Sequence, residues 1–154
     1  MTDRAGSAEL LTAEDTVALG ATLGRELRAG DVVVLSGPLG AGKTVLAKGI
    51  AQAMDVEGPV VSPTFVLARV HRARREGAPA MVHVDLYRLL DQSSVDLLAE
   101  LDSLDLDTDL DDAVVVVEWG EGVAERLSDS HLDIRLERSS DTDARTAIWT
   151  WSRP

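Results

Sequence analysis

The chain contains no cysteine. That absence excludes a disulfide scaffold, thiolate zinc sites, iron–sulfur clusters and thiol nucleophiles together. Long apolar runs are also missing. None approaches the roughly 18 residues that a bilayer span needs, so no membrane segment is expected. Met1-Thr2-Asp3-Arg4 lacks the charged-then-apolar pattern of a secretory leader, and a cytoplasmic protein is expected. Lysine is nearly absent: Lys43 and Lys48 are the only two, and every other cation is arginine. Positive charge is scarce overall, with 15 Lys+Arg against 27 Asp+Glu and a net charge of −12. So acidic a surface repels phosphates and does not grip nucleic acid generally.

What is present suffices for one folded domain. The 154 residues are 45% apolar, enough to bury a real core. No internal repeat or long linker divides them, so residues 1–154 are expected to form a single domain with loose ends at 1–10 and 152–154.

Periodicity gives the elements. Thr12 with Asp15 three residues later is a capping-box pattern, and Val17, Leu19, Leu23 and Leu27 recur at helical spacing. A helix is expected from about Ala13 to Leu27. Val32 to Leu35 is a continuous apolar run of the kind found in strands buried on both faces. Val45 to Met54 is expected to be helical, and Val60-Val61 a short strand. Phe65 to Val70 and Ala80 to Leu86 are expected to form a hairpin around Arg75-Glu76-Gly77-Ala78-Pro79. Ser93 with Asp96 caps a further helix, Ala113 to Val117 is another buried-type strand, and Glu121 to Leu127 a short helix. Leu132, Ile134 and Leu136, then Ile148, Trp149 and Trp151, mark two final strands. Helix, strand, loop, helix, then mixed elements, imply an α/β fold with a mostly parallel central sheet and antiparallel additions.

Gly37-Pro38-Leu39-Gly40-Ala41-Gly42-Lys43-Thr44 matches G-x-x-x-x-G-K-[ST] at every fixed position, the Walker A or P-loop motif. A strand pattern precedes it and a helical pattern follows, as the motif requires. Its chemistry explains its spacing. Glycines let backbone N–H groups turn into a concavity that holds phosphate oxygens, and the helix aims its N-terminal dipole there. Lys43 is placed to reach the β- and γ-phosphates, and the Thr44 hydroxyl to bind Mg²⁺. ATP is strongly anionic and this chain is acidic, so affinity must rest on a local positive field, and Mg²⁺ dependence is expected.

A P-loop requires a second carboxylate for its metal, usually at the end of an apolar strand. Val114-Val115-Val116-Val117-Glu118 offers the cleaner candidate, Glu118, an acid after four apolar residues at a strand's C-terminal end; Met81-Val82-His83-Val84-Asp85 offers Asp85, with His83 on the same strand face. His83 alone is as readily a core residue as a catalytic one. A guanine-specific reader of the Asn-Lys-x-Asp kind is absent, as is a transporter ATPase signature. Asp105, Asp107 and Asp109 do not make a calcium loop, because Leu110 stands where glycine is needed and Val116 where glutamate is.

Four stretches resemble the TsaE family, the P-loop ATPases of bacterial threonylcarbamoyladenosine tRNA modification. They are Gly37 to Thr44, Ser62-Pro63-Thr64-Phe65, His83-Val84-Asp85-Leu86-Tyr87-Arg88-Leu89, and Glu118-Trp119-Gly120-Glu121. Thr16 with Leu19-Gly20 resembles the start of the family's first helix. The likeness runs from about residue 10 to 137. It departs at Gly120, where proline or alanine is common, and offers nothing for residues 102–112 or beyond about 138. It implies a P-loop NTPase-like three-layer sandwich and a Mg²⁺-dependent ATPase. That ATPase would act with a TsaB–TsaD complex on tRNAs reading codons that begin with A, without itself transferring the threonylcarbamoyl group. By motif position Lys43, Asp85 and Glu118 would be catalytic. Thr44 and Glu118 would hold Mg²⁺. Gly37, Pro38, Leu39, Gly40, Ala41, Gly42, Lys43, Thr44, Val45, Thr16 and Thr64 would hold ATP, with Thr16 near adenine and Thr64 in a switch segment. The competing reading is a small-molecule kinase using the same loop, although that class usually carries an arginine-rich lid and more chain. Arg69, Arg72, Arg74 and Arg75 form the one basic cluster. They are either a solubilising hairpin or a contact for tRNA or an acidic partner face.

Overall fold

A computed structural model describes residues 5–38, 40–60, 68–85, 112–118, 130–139, 142 and 144–152. Among them, seven strands form one sheet in the order β1-β7-β6-β2-β5-β4-β3. The strands are β1 (Ala5–Leu10), β2 (Val32–Ser36), β3 (Ala68–His71), β4 (Ala80–Asp85), β5 (Ala113–Glu118), β6 (His131–Arg138) and β7 (Arg145–Ser152). Two helices, α1 (Ala13–Gly24) and α2 (Lys43–Met54), complete the described elements. The centre, β6-β2-β5-β4, is parallel. Antiparallel strands flank it, β7 and β1 on one side and β3 on the other. The mixed α/β sheet with a parallel centre is the architecture that the sequence pattern implies.

Burial explains why the central strands are nearly continuous in valine. Val33, Leu35, Met81, Val114, Val116, Leu132 and Ile134 face one way and join Leu46, Ala47, Ile50 and Met54 of α2 in one apolar cluster. Val32, Val34, Val82, Val84, Val115 and Val117 face the other way and are buried as well. A strand covered on both faces has no polar alternation to show.

Helix α1 begins as expected. The Thr12 hydroxyl accepts from Asp15 N–H at 3.1 Å, and the Asp15 carboxylate accepts from Thr12 N–H at 3.2 Å, closing the capping box. The helix is shorter than its periodicity suggests. After Gly24 the chain tightens into i→i−3 turns, with Glu26 N–H on Leu23 O and Leu27 N–H on Gly24 O. Leu27 still packs on the core from there. Helix α2 starts earlier than expected, at Lys43, because Gly42 takes a left-handed N-cap conformation (φ 101°) and its carbonyl receives Leu46 N–H at 2.9 Å.

The two helices cross with backbones in contact. A Cβ on Gly20 would overlap the Leu46 carbonyl oxygen, and one on Gly49 the Val17 carbonyl oxygen. This crossing carries the first turn of α1 onto the start of α2.

Four expectations require correction. Residues 5–10, expected as a loose start, form edge strand β1, paired with β7 from Ala5↔Thr150 to Leu10↔Arg145. Its signal is weak because its inward residues are small: the Trp149 indole lies where a Cβ of Gly6 would be, and only Leu10 is a large apolar residue. Ser152, also expected to be loose, pairs with His131. Val60 is buried but forms no strand; the nearest pairing is an isolated bridge between Val56 and Ala73. The hairpin of β3 and β4 exists, but β3 extends to His71, past the expected end at Val70. The helices expected after Ser93 and Glu121, the acidic stretch 102–112 and the strand residues Val61, Phe65 to Leu67 and Leu86 lie outside the described residues.

Candidate functional site

The loop between β2 and α2 lies at the C-terminal edge of the parallel strands, where α/β sheets place their sites. Gly37, Gly40 and Gly42 all hold positive φ (142°, 79° and 101°), which lets the backbone curl without side-chain clashes. The Ala41 N–H closes a turn on Pro38 O at 3.1 Å. Lys43 opens α2, and its buried ammonium returns across the loop to donate to Gly37 O at 2.7 Å and Pro38 O at 2.9 Å. The start of α2 points its N–H groups and positive dipole end into the same loop.

Thr44 is the next residue of the helix. Its hydroxyl lies 3.1 Å and 3.2 Å from the two carboxylate oxygens of Glu118. Glu118 ends β5 and is buried. On the neighbouring strand, Asp85 pairs in register with Glu118, and His83 with Val116. All four positions share the face that α2 covers. His83 is fully buried, and its Nε2 lies 2.5 Å from Glu118 Oε2. Of the two carboxylates considered for the metal, Glu118 is the one that Thr44 touches. Thr44 and Glu118 together present hard oxygen donors beside a loop built for phosphate, the donor chemistry that suits Mg²⁺, which commonly keeps several waters and substrate phosphates as its other ligands. Among the described residues no group of three or more histidine or carboxylate side chains forms an all-protein metal cage. Thr44 and Glu118 are oxygen donors of the kind that fit Mg²⁺.

A cavity of about 320 Å³ adjoins the loop, lined by Leu11, Thr12, Ala13, Thr16, Gly42, Val45 and Arg145. Its size is at the low end of ligand cavities, roughly 300–1,000 Å³. Thr16, Gly42 and Val45, far apart in sequence signal, meet here. A larger cavity of about 510 Å³ lies at the far end of α2, beside Lys48, Asp55 and Arg74, away from the phosphate loop.

Two arginines at the loop escaped the sequence reading. Arg145 Nη2 donates to Gly40 O at 3.1 Å. Arg138, its register partner on β6, brings Nη1 within 3.5 Å of the place a Cβ on Gly40 would occupy. Like charges facing each other across a strand pair are unfavourable in themselves. Here they reinforce the positive field of Lys43 in an acidic chain. Neither belongs to a motif; only the return of β7 beside β6 brings them to the loop.

His71, on β3, is buried, with Nδ1–H donating to Glu57 O at 2.9 Å and Nε2 without a partner. Burial lowers its pKa from 6.5, against the opposing effect of that hydrogen bond and with the help of the nearby Arg69 charge. Arg69, Arg72, Arg74 and Arg75 are exposed. Arg74 and Arg75 approach Asp55 at 3.8 Å and 3.9 Å, contacts of little worth at such exposure. Leu39, Ser62, Pro63, Thr64, Tyr87, Arg88 and Trp119 lie outside the described residues.

Residues 10–147 match the family model described as threonylcarbamoyl adenosine biosynthesis protein TsaE. A tRNA threonylcarbamoyladenosine biosynthesis protein TsaE of Mycobacterium tuberculosis is 75% identical over 148 residues, covering 96% of this chain and 88% of its own. The protein of that name from Streptomyces coelicolor is 51% identical over 79% of this chain and 78% of its own. The Bacillus subtilis one is 32% identical over 89% and 80%. The crystal structure of Bacillus subtilis YdiB superposes with a TM-score of 0.71 at 25% identity, covering 99% of this chain and 89% of that one.

Proposed function

The chain belongs to the TsaE family of tRNA threonylcarbamoyladenosine biosynthesis proteins, and from that premise we propose that it is a cytoplasmic Mg²⁺-dependent ATPase that supports this modification. It works with a TsaB–TsaD-type complex and does not transfer the threonylcarbamoyl group itself. The observation that carries this reading is the meeting of Thr44 and Glu118, at 3.1–3.2 Å, beside the described residues of the phosphate loop. The finer fold reading, a P-loop NTPase-like three-layer sandwich, is supported by the parallel centre of the sheet and by burial of both its faces. No helix among the described residues is long and apolar enough to cross a membrane.

In this reading loop amides and the start of α2 receive the phosphates, and the Lys43 ammonium neutralises them. Thr44 and Glu118 hold Mg²⁺, which when bound offsets charge on the β- and γ-phosphate oxygens. Asp85, beside Glu118 in register, orients the attacking water. Thr16 and its cavity receive the adenosine end, and Arg145 adds charge at Gly40. Thr64 belongs to a segment that senses the γ-phosphate. No arginine stands at a recognised finger spacing, so turnover by the chain alone is slow and rises when partners complete the site. A small-molecule kinase would instead phosphorylate a metabolite without partners.

The test is nucleotide binding and hydrolysis across a Mg²⁺ titration. Lys43→Ala weakens binding or turnover, while Thr44→Ala and Glu118→Ala mainly damage the Mg²⁺-dependent steps. Unchanged Mg²⁺ dependence in both metal-site variants sinks the assignment.

A further inference from the structure

Glu118 is gripped from two sides. Thr44 meets its carboxylate from the helix, at 3.1 Å and 3.2 Å from the two oxygens. His83 meets Oε2 from inside the sheet, with Nε2 at 2.5 Å. We propose that His83 is a positioning residue whose Nε2–H fixes the Glu118 carboxylate for the cation at the phosphate loop. This rests on the Mg²⁺–nucleotide reading above.

Three features distinguish this role from simple packing. First, His83 is fully buried among residues that are otherwise apolar along its strand: Met81, Val82 and Val84 are all 0% exposed. An aliphatic residue would fill such a place at no polar cost. Second, the ring keeps that cost. Its Nδ1 is buried without a hydrogen-bond partner, an uncompensated polar atom in the core. Its Nε2 is the polar atom that gains from the arrangement, and what it gains is a hydrogen bond to the carboxylate. Third, glutamate needs a second anchor at this position. Its side chain has one more rotor than aspartate. The Thr44 hydroxyl, with a single proton shared between two nearly equidistant oxygens, does not choose between them. His83 engages Oε2 alone and so makes the two oxygens inequivalent. Register supplies the geometry: His83 lies beside Val116, two residues before Glu118 on the same face, so the imidazole supports the carboxylate from below. Hydrogen-bonding partners of ligating carboxylates act in this way on metal sites generally.

The experiment uses the full chain and a fluorescent ATP analogue, titrated first in EDTA and then at increasing Mg²⁺, for wild type, His83→Gln, His83→Asn and His83→Leu. Glutamine places an amide donor near the Nε2 position; asparagine places it near Nδ1, out of reach of Glu118. The Mg²⁺ concentration at half-effect rises about 10-fold or more in His83→Leu and His83→Asn. It stays near wild type in His83→Gln, and affinity in EDTA is unchanged in all of them. A wild-type midpoint in His83→Leu overturns the proposal. So does equal behaviour of His83→Gln and His83→Asn, the comparison that decides if the leucine variant does not fold. Absence of any Mg²⁺ effect in wild type overturns the Mg²⁺–nucleotide reading, and this inference with it.

Discussion

Asp85 and Arg145 reach the loop by opposite routes. Asp85 follows four buried residues, Met81 to Val84, so strand alternation alone sets it on the face of His83 and beside Glu118. In the proposed ATPase a carboxylate there would serve the reacting end of the nucleotide. Asp85→Asn is therefore expected to fold and to bind ATP, yet to lose about 100-fold or more in hydrolysis, the lower range for a positioned acid–base group. Single-turnover kinetics beside equilibrium binding separate the two, and normal turnover with partners present refutes the role. Arg145 carries no local signal and matters through Gly40 O and the cavity of Thr16 and Val45. Arg145→Ala removes a positive charge beside the phosphate loop and is expected to weaken binding of an anionic nucleotide several-fold, an electrostatic effect that falls with added salt. Thermal stability should hardly change, since its guanidinium is not part of the core. Unaltered nucleotide affinity in isothermal titration excludes Arg145 from the site.

At the scale of elements, the crossing of α1 over α2 decides whether the site is whole. Thr12 and Thr16 are on α1 or its cap, whereas Gly42 and Val45 belong to α2 or its cap, and one cavity needs both. The helices approach that closely only because Gly20 and Gly49 present no side chains. Gly49→Ala forces a methyl group against the Val17 carbonyl, and overpacking of this kind costs about 1–3 kcal/mol. The variant should melt several degrees lower and, because α1 must shift, bind nucleotide more weakly even after correction for the unfolded fraction. Differential scanning fluorimetry with and without Mg²⁺–ATP measures both effects. Full affinity at reduced stability would show that α1 does not line the nucleotide site.

The whole molecule carries a net charge of −12, yet four of the exposed arginines among the described residues, Arg69, Arg72, Arg74 and Arg75, lie within seven residues on β3 and the segment after it. Arg72, Arg74 and Arg75 follow β3, where Arg74 and Arg75 approach Asp55 away from the phosphate loop. Changing all three to serine should leave basal ATPase intact and weaken association with the partner complex or its tRNA-bound form. The loss should be largest at low salt, where guanidinium contacts to phosphates or carboxylates are least screened. Co-sedimentation at two salt concentrations decides the matter, and equal assembly at both reduces the cluster to a solubilising surface.

The amino-acid sequence by itself determined the phosphate loop, the capped start of α1, the buried central strands and the two acidic strand ends. Each rests on interactions within a few residues: glycines set a turn, a threonine and an aspartate close a cap, and apolar runs or alternation select a strand. Glu118 and Asp85 were both legible as candidates, Glu118 the cleaner one and assigned to the metal with Thr44 by the family likeness, but which of them lies against the Thr44 hydroxyl was chosen by the tertiary structure. That choice needed β5 beside β2 and β4 beside β5, pairings between segments remote in the chain. The same holds for β1, whose small residues make sense only under Trp149. It holds for Arg138 and Arg145, which meet the loop because β6 and β7 return to it, and for His83, an ambiguous core histidine until the carboxylate of the next strand stands against its Nε2. Local chemistry is written in neighbours along the chain; shared burial and cross-strand register exist only once the sheet has closed.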